Sequence, residues 1–159
     1  MADFSEHINQ AKSNLNFLNS ITSIKDYWDW KVTVSFYVAL HLVNAHLAQK
    51  ADLHYRTHNK VDQAINPFNT FSVTKFSEEN YLAYTKLLGL SRRSRYLVNE
   101  KIRNNKNRLY FTYEKHFIKA IKNLDIILKY FNREYNVDFD KINIESEYYK
   151  SQTLNFFIP

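Results

Sequence analysis

The stretch WDWKVTVSFYVALHLVNAHLA, residues 28–48, leaves the chain little choice of architecture. Wound at about 100° per residue, it sets Trp28, Val32, Phe36, Ala39, Leu40, Val43 and Leu47 on one broad arc. Val34, Val38, Leu42 and Ala45 carry that arc most of the way round. A helix apolar on nearly every side belongs in the middle of a bundle. Thr33, Ser35, His41, Asn44 and His46 argue against a membrane span. What is left is a narrow polar strip of Trp30, Thr33, Tyr37, His41 and Asn44. Buried polar groups cost free energy unless they are hydrogen-bonded. The strip is therefore expected to form a structural network inside the bundle, or to face a wet cleft or a twofold mate.

The rest of the chain agrees with an all-α fold. With one glycine and two prolines in 159 residues, it lacks the turn residues that a β-rich domain needs. Helical periodicity predicts about five helices. The first covers roughly residues 3–22, and the second runs from a cap at Asp26 to about Lys50. A short third helix opens at Thr57 and ends near Pro67, and a fourth is capped by Ser77 with Glu78 and Glu79 in its first turn. The fifth runs from about Leu109 to Tyr135. Residues 1–135 thus read as one helical bundle. Residues 136–159 read as an irregular acidic segment ending in the apolar tail TLNFFIP, which is expected to dock on the domain or on a mate.

Charge is unevenly spread over a chain whose formal net charge is +6. Arg92, Arg93, Arg95, Lys101, Arg103, Lys106 and Arg108 stand against the single acid Glu100, whereas Glu134, Asp138, Asp140, Glu145 and Glu147 make the later segment acidic. A clustered basic segment suits phosphate contacts, although it also serves as a solvated loop. The chain has no cysteine, which excludes disulfides and thiolate metal sites and fits a reducing cytosol. The start MADFSEHINQ lacks the charged head and apolar core of a signal peptide, so a cytoplasmic, non-membrane protein is expected.

Four segments in this order, FYVALHLVNAHLA, THNKVDQAI, YLAYTKLLGLSRRSRY and YEKHFIKAIKNLDIILKYF, resemble the HEPN family of small helical bundles over roughly residues 5–135. The shared pattern is a long central helix with Tyr, Ala and His, then a short helix opened by Thr-His. A helix ending in Arg-x-x-Arg-Tyr and a long final helix follow. The resemblance implies a HEPN-like bundle acting in RNA- or nucleotide-related biology such as a toxin–antitoxin or antiviral system. Family members include metal-independent ribonucleases and non-catalytic modules that bind RNA, nucleotides or proteins. Many are homodimers.

The family's nuclease signature is an arginine followed four to six residues later by a histidine. Arginine neutralises and orients the scissile phosphate, and histidine moves the proton of the attacking or leaving oxygen. That signature is missing: Leu97 to Ile102 fill the positions after the arginines, and seven residues separate Arg108 from His116. The expectation is therefore a binding module with weak or no catalysis. The alternatives are a ribonuclease with a noncontiguous site, and a protein-interaction adaptor.

A noncontiguous catalytic site would draw on His41, Tyr37 and His58, with the arginines of the fourth helix packed beside them. Phosphate binding is assigned to Arg92, Arg93, Lys101 and Arg103, and a structural polar network to Trp30, Asn44, Arg95 and Tyr96. Arg95 and Tyr96 are expected to be partly buried. His54 and His58 have a chelating spacing, but a helix start at Thr57 leaves His54 outside the helix, so neither a metal nor a cofactor is expected. A homodimer is expected because the second helix has more apolar circumference than one small bundle readily covers. RNA, a nucleotide or a protein of the same system are the expected further partners.

Overall fold

The computed structural model describes residues 2–98, 109–149 and 153–159. Its helices among these residues are α1 (Phe4–Thr22), α2 (Trp28–Ala51), α3 (His58–Ile65), α4 (Glu78–Tyr96) and α5 (Glu114–Tyr135). Two short strands, β1 (Ile142–Asn143) and β2 (Phe157–Ile158), pair in parallel near the C-terminus. The protein is an all-α bundle with a small strand pair attached.

Helix α2 lies at the centre, packed against α1, α4 and α5. Fourteen of its residues are buried, including Val32, Phe36, Ala39, Val43 and Leu47. The apolar circumference that gave the ground for expecting a mate is thus covered within one chain. Helix α1 presents Ile8, Ala11, Leu15 and Leu18 to the core, and α5 presents Phe117, Ile121, Leu124, Leu128 and Phe131. Among the described residues no helix is long and apolar enough to cross a membrane.

Local chemistry sets the helix ends. Asp3 and Glu6 form a reciprocal capping box on α1, each side chain accepting the other's backbone N–H at 2.8 Å. The far end of α1 has no basic residue of its own. Lys31 of α2 supplies one, its buried ammonium donating to the carbonyls of Thr22 (3.1 Å) and Ile24 (2.6 Å) over the Trp28 ring. Burial lowers the pKa of Lys31 from its ordinary value, and the acids Glu114 and Asp26 oppose that shift.

Two boundaries differ from expectation. Asp26 does not cap α2. Asp26 and Tyr27 both take left-handed backbone conformations, so the chain reverses there and the helix begins only at Trp28. Helix α5 starts at Glu114 rather than near Leu109, because residues 110–112 are drawn along the end of α4. Tyr110 N–H donates to Leu97 O (3.0 Å), Arg93 donates to Phe111 O, and the Ser94 and Thr112 hydroxyls are 3.0 Å apart. His116 Nδ1 then accepts the Tyr113 N–H at 2.9 Å and fixes the start of α5. Ser77 caps α4 as expected, accepting from the Asn80 backbone. Thr57 is the N-cap residue of α3, but its side chain makes no capping bond.

The last residues pack on the bundle of their own chain. Asp125, a buried carboxylate of α5, accepts the backbone N–H groups of Asn155 and Phe156 and the Asn155 amide. Ile142 N–H and Ile144 N–H bond to the carbonyls of Phe156 and Ile158, both at 2.8 Å. Tyr149 donates its hydroxyl to Phe157 O, and Phe157 is fully buried.

Candidate functional site

The third turn of α2, the first residue of α3 and the end of α4 bring together Tyr37, His58, Arg92 and Arg95. Phe36 is the floor. Its buried ring meets the His58 imidazole edge-on at 5.2 Å and lies 5.7 Å from the Tyr37 ring. The Arg95 guanidinium carbon stands 5.8 Å from the Phe36 ring centre, 5.9 Å from Tyr37 and 5.2 Å from Tyr96. The hydrogen bonds that hold Arg95 run from Nε to the Ser91 hydroxyl (3.1 Å) and carbonyl (3.4 Å). An aromatic wall with a tethered guanidinium on it has the chemistry to receive a flat or tetrahedral anion.

Electrostatics point the same way. Burial pushes the pKa of His58 below its ordinary value, and the positive fields of Arg95 and Arg92 push it further. His58 is neutral near pH 7 as a result, and its buried Nδ1 has no hydrogen-bond partner. The Tyr84 hydroxyl, also buried without a partner, is held protonated by burial and by Asp62, against the influence of Arg92. Burial first, and then Asp62, which accepts from the Tyr81 hydroxyl, push Tyr81 up to about 12. The cluster thus couples two arginines and an unsatisfied imidazole to one carboxylate set a helical turn behind them.

His41 is not part of this cluster. Although it lies one turn from Tyr37, its ring meets α1, where its Nδ1 is 3.3 Å from Nδ1 of His7. His7 in turn places Nε2 2.9 Å from Nδ1 of His54, with the two rings stacked at 5.0 Å. Burial, and the neighbouring imidazoles after it, lower His7 to about 4 and His41 below its usual value. His7 uses opposite nitrogens for its two neighbours, so the three rings share no common point. Accordingly, among the described residues no group of three His, Asp or Glu could hold a metal ion.

The other expected residues distribute unevenly. Asn44 is buried and structural, donating to Leu40 O and accepting from Tyr55 N–H, which ties down the loop before α3. Trp30 and Tyr96 are corrections: expected in a buried network, they are 56% and 62% exposed. Trp30 lies in the first turn of α2, and Tyr96 is the last residue of α4, so neither is enclosed by neighbouring helices. Arg93 spends Nε and a terminal nitrogen on Phe111 O, at 2.9 and 2.7 Å, and stacks on Tyr110. It holds the 109–113 segment in place. Lys101 and Arg103 lie outside the described residues.

Two groupings escaped the sequence reading. The imidazole chain joins residues 34 and 47 positions apart, and neither His7 nor His54 sits in a local motif. The carboxylate anchor Asp125 was hidden within the apolar face of α5, where its only sequence signal was an acid at a core position of the heptad-like stripe. Comparisons of the chain with protein-family models, with curated proteins and with solved structures find no match.

Proposed function

We propose that this chain is a HEPN-like binding module that takes the phosphate backbone of RNA at the cluster of Tyr37, His58, Arg92 and Arg95, with weak or no catalysis. The observation that carries the reading is the Arg95 guanidinium set against the rings of Phe36, Tyr37 and Tyr96, with the His58 ring edge-on to Phe36 and in the positive field of Arg95 and Arg92. An arginine pair offers the charge and the donors that a phosphate needs.

Cleavage of an RNA phosphodiester needs a proton acceptor for the 2′-hydroxyl and a donor for the leaving oxygen. The cluster supplies one imidazole, neutral at pH 7 and therefore suited to accept a proton. His41, the second imidazole a ribonuclease would call on, is engaged with His7 of α1. This favours binding over turnover. A neutral His58 beside two arginines is what favours the second reading, a slow metal-independent ribonuclease with His58 as base.

The test is an NMR titration of the His58 ring with and without a single-stranded oligoribonucleotide. A bound phosphate stabilises the imidazolium, so the His58 pKa should rise on adding RNA. An unmoved titration curve with RNA in excess would refute binding at this cluster. RNA shortening in EDTA that disappears in His58→Ala would favour the ribonuclease reading.

A further inference from the structure

Beside the cluster the surface changes character. Tyr96 at the end of α4, and Phe111 and Tyr113 in the segment before α5, are each more than half exposed, at 62%, 53% and 53%. Phe111 and Tyr113 stand two residues apart, and contiguous apolar surface left in water usually marks an interaction site. The backbone that carries Phe111 and Tyr113 is also fixed. Arg93 clamps Phe111 O, Leu97 O accepts from Tyr110 N–H, Ser94 meets Thr112, and the His116 ring takes the Tyr113 N–H.

Cations stand among them. The Lys115 ammonium lies 5.8 Å from the Tyr113 ring centre. The field at His116, whose pKa is lowered to about 4 by burial first, is made positive by Arg93, Lys115 and Lys119. Tyr113 and Lys115 also line, with Trp28 and Tyr148, an open depression whose one acid is Glu114. Tyr96 precedes Leu97, whose carbonyl accepts the Tyr110 N–H, and its ring centre lies 5.2 Å from the Arg95 guanidinium carbon, so it stands between this area and the cluster.

We infer that Tyr96, Phe111 and Tyr113 form a stacking platform for the bases of a single-stranded nucleic acid, with Arg93 and Lys115 beside its phosphates. This rests on the proposed binding of RNA at the neighbouring cluster and adds what that cluster cannot provide, a means of telling an unpaired strand from a duplex. Every base has a face that stacks on an aromatic ring, but in a duplex those faces are already covered. The positive field decides for a polyanion over an apolar protein segment. A backbone fixed by four separate bonds presents the rings without an ordering cost at the moment of binding.

The test compares three probes by fluorescence anisotropy: a labelled oligouridine, the same strand in a duplex, and an abasic oligomer of equal length. The wild-type chain should bind oligouridine more tightly than either of the others. Phe111→Ala and Tyr113→Ala together should weaken oligouridine binding by about tenfold or more. Binding of the abasic strand and the salt dependence should stay as they were. Phe111→Ala alone, a smaller change to the surface, should show the same selective loss if the double variant folds poorly. Oligouridine affinity untouched by the ring substitutions would overturn the platform and leave the rings to a protein partner, with phosphate binding at the cluster intact. No binding of any oligomer by the wild-type chain would overturn both.

Discussion

Nε2 of His7 lies 2.9 Å from Nδ1 of His54, and the opposite nitrogen of the same ring lies 3.3 Å from Nδ1 of His41. Three neutral imidazoles can satisfy both bonds with each ring donating at most once. A single extra proton on His7 would also satisfy them, but a second proton anywhere in the chain would set like charges against each other. The chain joins α1, α2 and the loop leading to α3, so its protonation is linked to the packing of those three elements.

Acid should therefore destabilise the fold at mild pH. His7, His46 and His116 are each lowered to about 4, burial being the main cause in each case. Between the ordinary histidine value of about 6.5 and 4, the unfolded chain binds protons that the folded chain refuses. Stability is full above that window and is lost as pH falls through it. Melting temperatures from pH 7 to pH 4.5 should fall steadily, and His7→Gln should flatten the fall while lowering the value at pH 7. A flat profile over that range would contradict neutral burial of these rings.

The anchor of the tail makes a second expectation. Asp125 is 3% exposed and accepts from two backbone N–H groups and one side-chain amide. Asp125→Ala leaves those donors buried and unpaired, at a cost of about 3 kcal/mol, which lowers the melting temperature by roughly 6–12 °C. Asp125→Asn keeps one acceptor and should fall between. Amide hydrogen exchange at Phe156 and Phe157 should accelerate in the alanine variant. Unchanged exchange there would mean that the strand pair holds the tail without the carboxylate.

Lys31 gives a third. Its ammonium satisfies the carbonyls of Thr22 and Ile24 at the end of α1 while resting on the Trp28 ring. Lys31→Met keeps the length of the side chain and removes the donor, and should cost about 1–3 kcal/mol in a urea titration. Equal stability of the methionine variant would show that water serves those carbonyls as well.

The parts of the fold that were legible in the sequence are those set by periodicity or by neighbouring residues. The nearly continuous apolar surface of residues 28–48 placed α2 at the centre, and Ser77 followed by Glu78 and Glu79 marked the start of α4. Where the deciding partner is remote, local reading failed. Arg93 answers a backbone carbonyl 18 residues away, which no side-chain pattern announces. The same contact pulls residues 110–112 out of α5. At the start of α2, two left-handed residues decided the boundary against the capping preference of Asp26. The site was half legible for the same reason. Helical geometry alone put Tyr37 and His41 one turn apart, but the ring packing of His41 against His7, 34 residues earlier, separated it from the arginines.

The central claim is that His58, Arg92 and Arg95 bind phosphate. Its most direct measurement is the affinity for a single-stranded oligoribonucleotide as a function of salt, for the wild-type chain and for Arg92→Ala combined with Arg95→Ala. Two lost phosphate contacts should reduce the slope of log affinity against log salt by about 1.4, and weaken binding most at low salt. The circular dichroism spectrum should still show the folded bundle. An affinity and a slope equal to those of the wild-type chain would contradict the claim and leave both arginines as struts of the bundle.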